Sequence, residues 1–335
     1  YPASPEAFQS ISSARSIYID SGLVNEYAAW VGTLNYVGIS DKELEKTTYE
    51  AAEKQFLDNN TNRAITLFNE YILKFPYGEH INKAQFYLAS LYFKQNLKEN
   101  ALPHYEFILT QPTNEFTEQA LQKVCTIKLE NGGEAQQVLR RLELEAKNPQ
   151  NVLFAQSNLM KIAYEQDDFS SALSYAQIIL DNPNTDNYIK GDAQIITARC
   201  AFALGNEDLA RTAYAKVASS ENMNYGAEVK YYDAFFQNKD RAYAKSNDLI
   251  QELIQQYPSN KIFAGKGLIL MAKNYFVLDD AFQATYILEN VIKNFESYEP
   301  LTTEATQLLE TYERALSKSN ASIESQKETT NENEN

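Results

Sequence analysis

Ile81-Asn-Lys-Ala-Gln-Phe-Tyr-Leu-Ala-Ser-Leu-Tyr-Phe-Lys-Gln-Asn-Leu-Lys-Glu-Asn-Ala-Leu-Pro-His-Tyr-Glu-Phe-Ile-Leu109 reads as two helices joined by a tight turn. Ala84, Leu88, Leu91 and Tyr92 share one face of the first helix, and Ala101, Tyr105 and Ile108 one face of the second. Residues 95–99 form the turn between them. Ala89 and Ala101 are small where two antiparallel helices would cross, because a larger group would force the backbones apart. The small second-helix position recurs as Ala64, Ala101, Ala135, Ala172, Ala210, Ser246 and Ala284, at intervals of 37, 34, 37, 38, 36 and 38 residues. A repeat of that length marks a solenoid of helix pairs, in which each unit buries its apolar face against its neighbours. The fold class is therefore all-α, with about eight helix pairs. The units lie near 5–35, 43–76, 81–112, 115–149, 151–183, 187–222, 225–258 and 261–297, giving an array over 1–299.

The two ends read differently from the middle. Tyr1-Pro2 is like Phe75-Pro76 and Tyr257-Pro258, the dipeptides that close a second helix, and no Met precedes it. The expectation is a chain cut at a repeat boundary from a longer array, with a processed mature terminus as the alternative, so a missing export signal says nothing about compartment. After Pro300, the segment Thr302-Thr-Glu-Ala-Thr-Gln-Leu-Leu-Glu-Thr-Tyr-Glu-Arg-Ala-Leu reads as a lone capping helix over 300–316, begun at a Thr cap, with Leu308, Leu309 and Tyr312 inward. Residues 317–335 hold Ile323 as their only large apolar side chain and are expected to be disordered. Asn35-Tyr-Val-Gly-Ile-Ser-Asp-Lys reads as a longer loop between repeats and a candidate hinge.

Charge and composition narrow the function. The chain has 30 Lys and Arg against 45 Asp and Glu, a net charge of −15, which opposes phosphate backbones and anionic lipid surfaces. No apolar run approaches the roughly 20 residues that span a bilayer. Cys125 and Cys200 fall at crowded helix-crossing positions, where a thiol serves as a small apolar group. His80 and His104 have no metal-ligand spacing beside them. Asp167-Asp168 and Asp279-Asp280 sit in turns between helices, where acids are ordinary caps. No phosphate-binding glycine loop, nucleophilic serine elbow or Cys-x-x-Cys is present. The sequence therefore predicts no cofactor, no metal and no enzyme activity.

The residues Ala89, Tyr92, Ala101, Tyr105 and Pro112 resemble the tetratricopeptide repeat: a small residue, a Tyr three on, an Ala in the second helix, an aromatic and a closing Pro. Ala272, Tyr275 and Ala284 repeat the match, and the resemblance runs over roughly 5–297. It is weakest in the fourth unit, where Cys125 holds the small position and the turn Asn131-Gly132-Gly133 is short. The resemblance implies a right-handed α–α superhelix whose first helices line a concave side that holds protein or peptide partners. Carried over by position, that rule gives Tyr49, Glu53, Phe56, Lys83, Phe86, Ser90 and Phe93 in the first half of the chain. In the second half it gives Ile195, Arg199, Phe202, Tyr231, Phe235, Lys266, Ile269, Lys273 and Phe276. An aromatic stripe is equally the mark of inter-repeat core. Arg199, Lys266 and Lys273 suit an acidic ligand or a terminal carboxylate, and equally suit neighbouring Asp and Glu.

Beyond the general repeat, Ala227-Glu-Val-Lys-Tyr-Tyr-Asp-Ala and Asp279-Asp-Ala-Phe-Gln-Ala-Thr are similar to the carboxyl-terminal parts of long multi-repeat envelope proteins of Gram-negative bacteria. Tyr49-Glu-Ala-Ala-Glu and Tyr71-Ile-Leu-Lys-Phe-Pro-Tyr-Gly are similar to outer-membrane assembly lipoproteins and the Tol-Pal coordinator family. That resemblance implies a periplasmic or outer-membrane-associated scaffold without direct membrane insertion. The alternatives are a glycan-binding lipoprotein of the nutrient-uptake type and a cytoplasmic adaptor. The first would need long insertions bearing Trp platforms, whereas this chain has short turns and only Trp30.

Overall fold

Each turn inside a repeat is closed by one residue in the left-handed region. These are Gly22, Asn59, Asn96, Gly132, Asp167, Gly205, Arg241 and Asp279, one for each helix pair of a computed structural model of the chain. The structure describes residues 4–35, 37–218 and 225–332. Tyr1-Pro2, the dipeptide read as a repeat boundary, lies outside the described residues, as does Tyr36 of the loop read as a hinge.

Among the described residues the chain is all-α, with seventeen helices and no strand. The first helices of the pairs are α1 (Pro5–Ser21), α3 (Asp41–Leu57), α5 (Ile81–Lys94), α7 (Thr117–Glu130), α9 (Pro149–Glu165), α11 (Asn187–Ala203), α13 (Gly226–Lys239) and α15 (Lys261–Val277). Their partners are α2 (Val24–Gly32), α4 (Thr61–Lys74), α6 (Lys98–Thr110), α8 (Gln136–Glu145), α10 (Phe169–Asp181), α12 (Glu207–Ala218), α14 (Tyr243–Gln256) and α16 (Ala281–Asn294). α17 (Glu299–Glu332) follows. Sequence signals start several of them: Ser40 Oγ accepts the Glu43 amide at α3, and Asp168 and Asp280 accept the Ser171 and Gln283 amides at α10 and α16.

The recurring small residues lie where expected from their spacing. Ala64, Ala101, Ala172, Ala210, Ser246 and Ala284 are fully buried, as are the first-helix residues Ala52, Ala89, Cys125, Ala198, Ala234 and Ala272. Burial pushes the Cys125 thiol up to about 12 and the Cys200 thiol up to about 11, so both are held as inert apolar groups. Ser246 occupies a position that is Ala in the other repeats, and its hydroxyl is used. It donates to the Ala234 carbonyl at 2.8 Å and accepts from Asn274 at 2.9 Å. Asn274, itself fully buried, also donates to Asn247 and accepts from Asn238. All its carboxamide hydrogens thus find partners.

The array expected over 1–299 divides into two compact units, Tyr1–Leu159 and Met160–Asn335. The repeat with the shortened turn lies just before the division, and its second helix, α8, has only 10 residues and buries only Leu139 and Leu142. Within the first unit α1 packs on α3 and α3 on α5; within the second, α13 packs on α15 and α15 on α17. α1, α3 and α5 thus form one layer in the first unit, and α13, α15 and α17 one layer in the second.

The end of the chain departs from expectation. The capping helix begins at Glu299, with Pro300 in its first turn, and continues as one helix to Glu332, while residues 333–335 of the tail lie outside the described residues. No Gly or Pro interrupts residues 301–332, and helix hydrogen bonds are local, so a segment with little to bury can still extend a helix that packing has nucleated. Leu301, Ala305 and Tyr312 are its buried side, with Leu308 and Leu309 partly buried beside them.

Candidate binding groove on the first-helix layer

The face of α5 that carries Phe86, Ser90 and Phe93 opens into a cleft of about 610 Å³, closed by Tyr105 and by Gln119, Gln122, Lys123 and Asn151 from α7 and α9. A second cleft of about 340 Å³ shares Ser90 and Lys94 with it and runs to Phe56, Leu57 and Asn59 of the preceding repeat. The walls are fixed by stacking. Phe56 lies on Tyr87 at 4.5 Å, and Phe86 on Phe116 at 4.6 Å between centroids. Ser90 Oγ donates to the Phe86 carbonyl at 2.8 Å and lies 3.3 Å from the Tyr105 hydroxyl. The Lys123 ammonium sits 4.5 Å from the centre of the Phe93 ring.

The electrostatics of this groove run against the rest of the chain. Its lining includes Lys94 and Lys123 and no carboxylate. Neither lysine has an ion-pair partner among the described residues, whereas Lys98, Arg199, Arg211 and Lys273 each bridge to an acid one repeat on. Of the amides beside them, Gln122 donates to Thr126 Oγ1 at 3.2 Å and Asn151 to the Glu118 carboxylate at 2.7 Å, which leaves each one further N–H. A carboxylate entering here would gain two cations beside aromatic walls, and a second cation would be repelled.

Of the residues named from sequence, Phe56, Phe86, Ser90 and Phe93 line this groove. Lys83 is on the same helix and half-buried. Glu53 accepts a hydrogen bond from the Tyr49 hydroxyl at 2.6 Å. Tyr49, Ile195 and Ile269 are 2%, 1% and 1% exposed and belong to the core, not to a surface. Tyr49 stacks on His80 at 4.3 Å, inside a cluster in which the buried Glu45 carboxylate accepts from the Tyr71 hydroxyl and meets His80 Nδ1. His104, the other histidine, is partly buried against Tyr92 and bonded through Nδ1 to Gln85 at 2.6 Å, and desolvation lowers its pKa.

The second-half residues assemble otherwise. Phe202, Tyr231 and Phe235 join Tyr232 and Phe263 in a ladder of rings at 4.9–6.4 Å, which is inter-repeat core. Phe276 stacks on Tyr312 of α17 at 3.7 Å and is covered by it. Arg199 and Lys273 are not free: the first holds Glu228 and the second Glu304 at 2.7 Å. Lys266 lies over Phe263 at 5.4 Å. Sequence reasoning missed Lys94, Gln119, Gln122, Lys123 and Asn151. The step of one repeat from Ala89 to Cys125, applied to Lys83 and Phe86, lands on Gln119 and Gln122. The shortened turn of the fourth repeat obscured that register.

The chain is similar in fold to the C-terminal part of a TPR repeat-containing protein from Cytophaga hutchinsonii. The two are 14% identical, with a TM-score of 0.51 over 76% of this chain and 98% of that one. The fold is a tetratricopeptide repeat fold. Weaker likenesses extend to a tetratricopeptide repeat protein from Parabacteroides merdae, 14% identical over 78% of this chain and 98% of that one, TM-score 0.39. They extend also to a signal-transduction ATPase with a tetratricopeptide repeat sensor from Pyrococcus horikoshii, 16% identical over 92% of this chain and 50% of that one, TM-score 0.49. No family model and no curated protein matches the chain. Among the described residues, no group of three or more His, Cys, Asp and Glu is placed to hold a metal ion, and no helix is long and apolar enough to cross a membrane.

Proposed function

We propose that this tetratricopeptide repeat chain is a non-catalytic protein-interaction scaffold that holds an acidic peptide or protein segment in the groove of α3, α5, α7 and α9. The observation that carries the reading is the pair of unpaired lysines, Lys94 and Lys123, in a carboxylate-free, aromatic-walled cleft of a chain with net charge −15. A Lys beside amide donors suits a carboxylate, and the Phe walls suit an apolar side chain next to it. The acidic balance of the whole chain speaks against phosphate backbones as ligands. A place in the bacterial cell envelope is part of the proposal, supported by the resemblance of its repeat segments to envelope scaffolds.

A photo-crosslinking side chain at Gln122, introduced into the chain in its native cell and read by mass spectrometry, tests this. Capture of a defined protein through an acidic segment, lost on Lys94→Glu with Lys123→Glu, is the expected result. Capture that survives the double reversal would sink the acidic-partner reading, and partners that are all cytoplasmic would sink the envelope placement.

A further inference from the structure

The final repeat carries a feature that no other repeat shares. α16 buries Ala284, Leu288 and Val291 completely against its neighbours. On its opposite face Phe282 and Tyr286 are 76% and 55% exposed, one helical turn apart, with ring planes 10° from parallel and centroids 6.4 Å apart. Relative to the buried small residue of each second helix they stand two positions before and two after. The same positions hold Asn62 and Thr66, Glu99 and Pro103, and Ser170 and Ser174 in other repeats, and none of the six other repeats that carry the small residue has an aromatic at either. Single exposed apolar residues are ordinary, but a pair of exposed rings at positions that hold small or polar residues or Pro in those repeats is not explained by packing within the fold. Val277 and Leu278, in the turn that leads into α16, are both about half exposed as well.

The charge around the patch selects what can cover it. Asp279 and Asp280 stand at its start, and the same helical stripe runs on to Glu289 and then to a single cation, Lys293. A second copy would bring like charges together across a two-fold contact in a chain of net charge −15, and an anionic lipid surface would meet the same repulsion. We infer that the outer face of α16 docks a cationic amphipathic segment of a partner protein, whose apolar side covers Phe282 and Tyr286 and whose Lys or Arg residues meet Asp279, Asp280 and Glu289. Aromatic anchors on such a face contribute most of the binding energy, and a cation above an open ring adds to it. This site is on the second-helix layer and is independent of the groove proposed above.

The test uses the full chain and a fluorescein-labelled 15-residue amphipathic peptide of Leu and Lys, with Leu/Glu and Ser/Lys peptides of the same pattern as comparisons. Anisotropy should show binding of the Leu/Lys peptide alone, weakened at least tenfold in Phe282→Ser with Tyr286→Ser. Because those serines are what the fifth repeat carries at the same positions, the double variant should keep the wild-type melting curve. Equal binding of the double variant, or of the Leu/Glu peptide, would overturn the proposal. So would a dimer in sedimentation that the double substitution abolishes, since the occupant would then be a second copy.

Discussion

Arg199 on α11 grips Glu228 on α13 with two parallel hydrogen bonds, Nε to Oε1 at 2.8 Å and Nη2 to Oε2 at 2.6 Å. The Tyr214 hydroxyl donates to the same carboxylate at 3.1 Å, and Tyr164 and Tyr225 flank the guanidinium within 6 Å. Glu228 is buried, so the fork supplies partners that water does not. The side-chain hydrogen bonds to Glu228 hold the Arg199 pKa above its ordinary value. Arg199→Ala should cost about 2–3 kcal/mol by stranding the carboxylate, and Arg199→Lys should recover only part, because a point charge cannot make both bonds. Urea denaturation of the full chain measures both. A loss near zero would mean that Tyr214 alone supports Glu228.

The buried carboxamide network of the last two repeats gives a second expectation. Asn274→Ala leaves Ser246, Asn247 and Asn238 short of a partner in the core, and should lower stability by about 2–3 kcal/mol. Ser246→Ala removes one acceptor while restoring the residue that the other repeats use, so its cost should be the smaller of the two. The order of the two denaturation midpoints decides the point.

Arg241 holds the left-handed turn position at φ 61° that Gly holds in three other repeats, and it is exposed. A residue with a Cβ is strained there. Arg241→Gly should therefore stabilise the chain by about 1 kcal/mol, read as a higher urea midpoint, despite the entropy that Gly adds to the unfolded chain.

Glu45 links stability to acid pH. Burial by itself raises its pKa, but hydrogen bonds from the Tyr71 hydroxyl and from His80 outweigh it and bring the value below 4.5. Because the folded pKa lies below the free one, the ionised carboxylate stabilises the fold above pH 4.5, and that contribution is lost as pH falls through the folded value. Glu45→Gln should flatten the fall in melting temperature below pH 4.5. An unchanged acid slope would remove Glu45 from the account.

Ala101 is fully buried where α5 and α6 cross. Ala101→Leu adds volume to a closed contact and should cost about 1–3 kcal/mol, again by denaturation. A neutral result would show that the crossing can open.

Much of this molecule is legible in its sequence, for a physical reason. Helix periodicity and the spacing of small residues are local constraints, so the helix pairs, their crossings at Ala101 or Ala284 and the acidic caps at Asp168 and Asp280 follow from the chain alone. The extent of α17 was not legible, because composition predicts whether a segment can bury surface and not whether a packed helix extends into it. The side of each first helix that meets solvent was also hidden. Phe86 and Phe93 open onto a groove while Tyr49 and Ile269, read by the same rule, are core, since that depends on the rotation of each helix against the next repeat. Cation partners were hidden likewise: Arg199 and Lys273 meet acids 29 and 31 residues further on, while Lys94 and Lys123 meet none among the described residues. Sequence determined the repeat because the repeat is built from neighbours along the chain; only the tertiary structure decided which charges remain free, because that depends on neighbours across it.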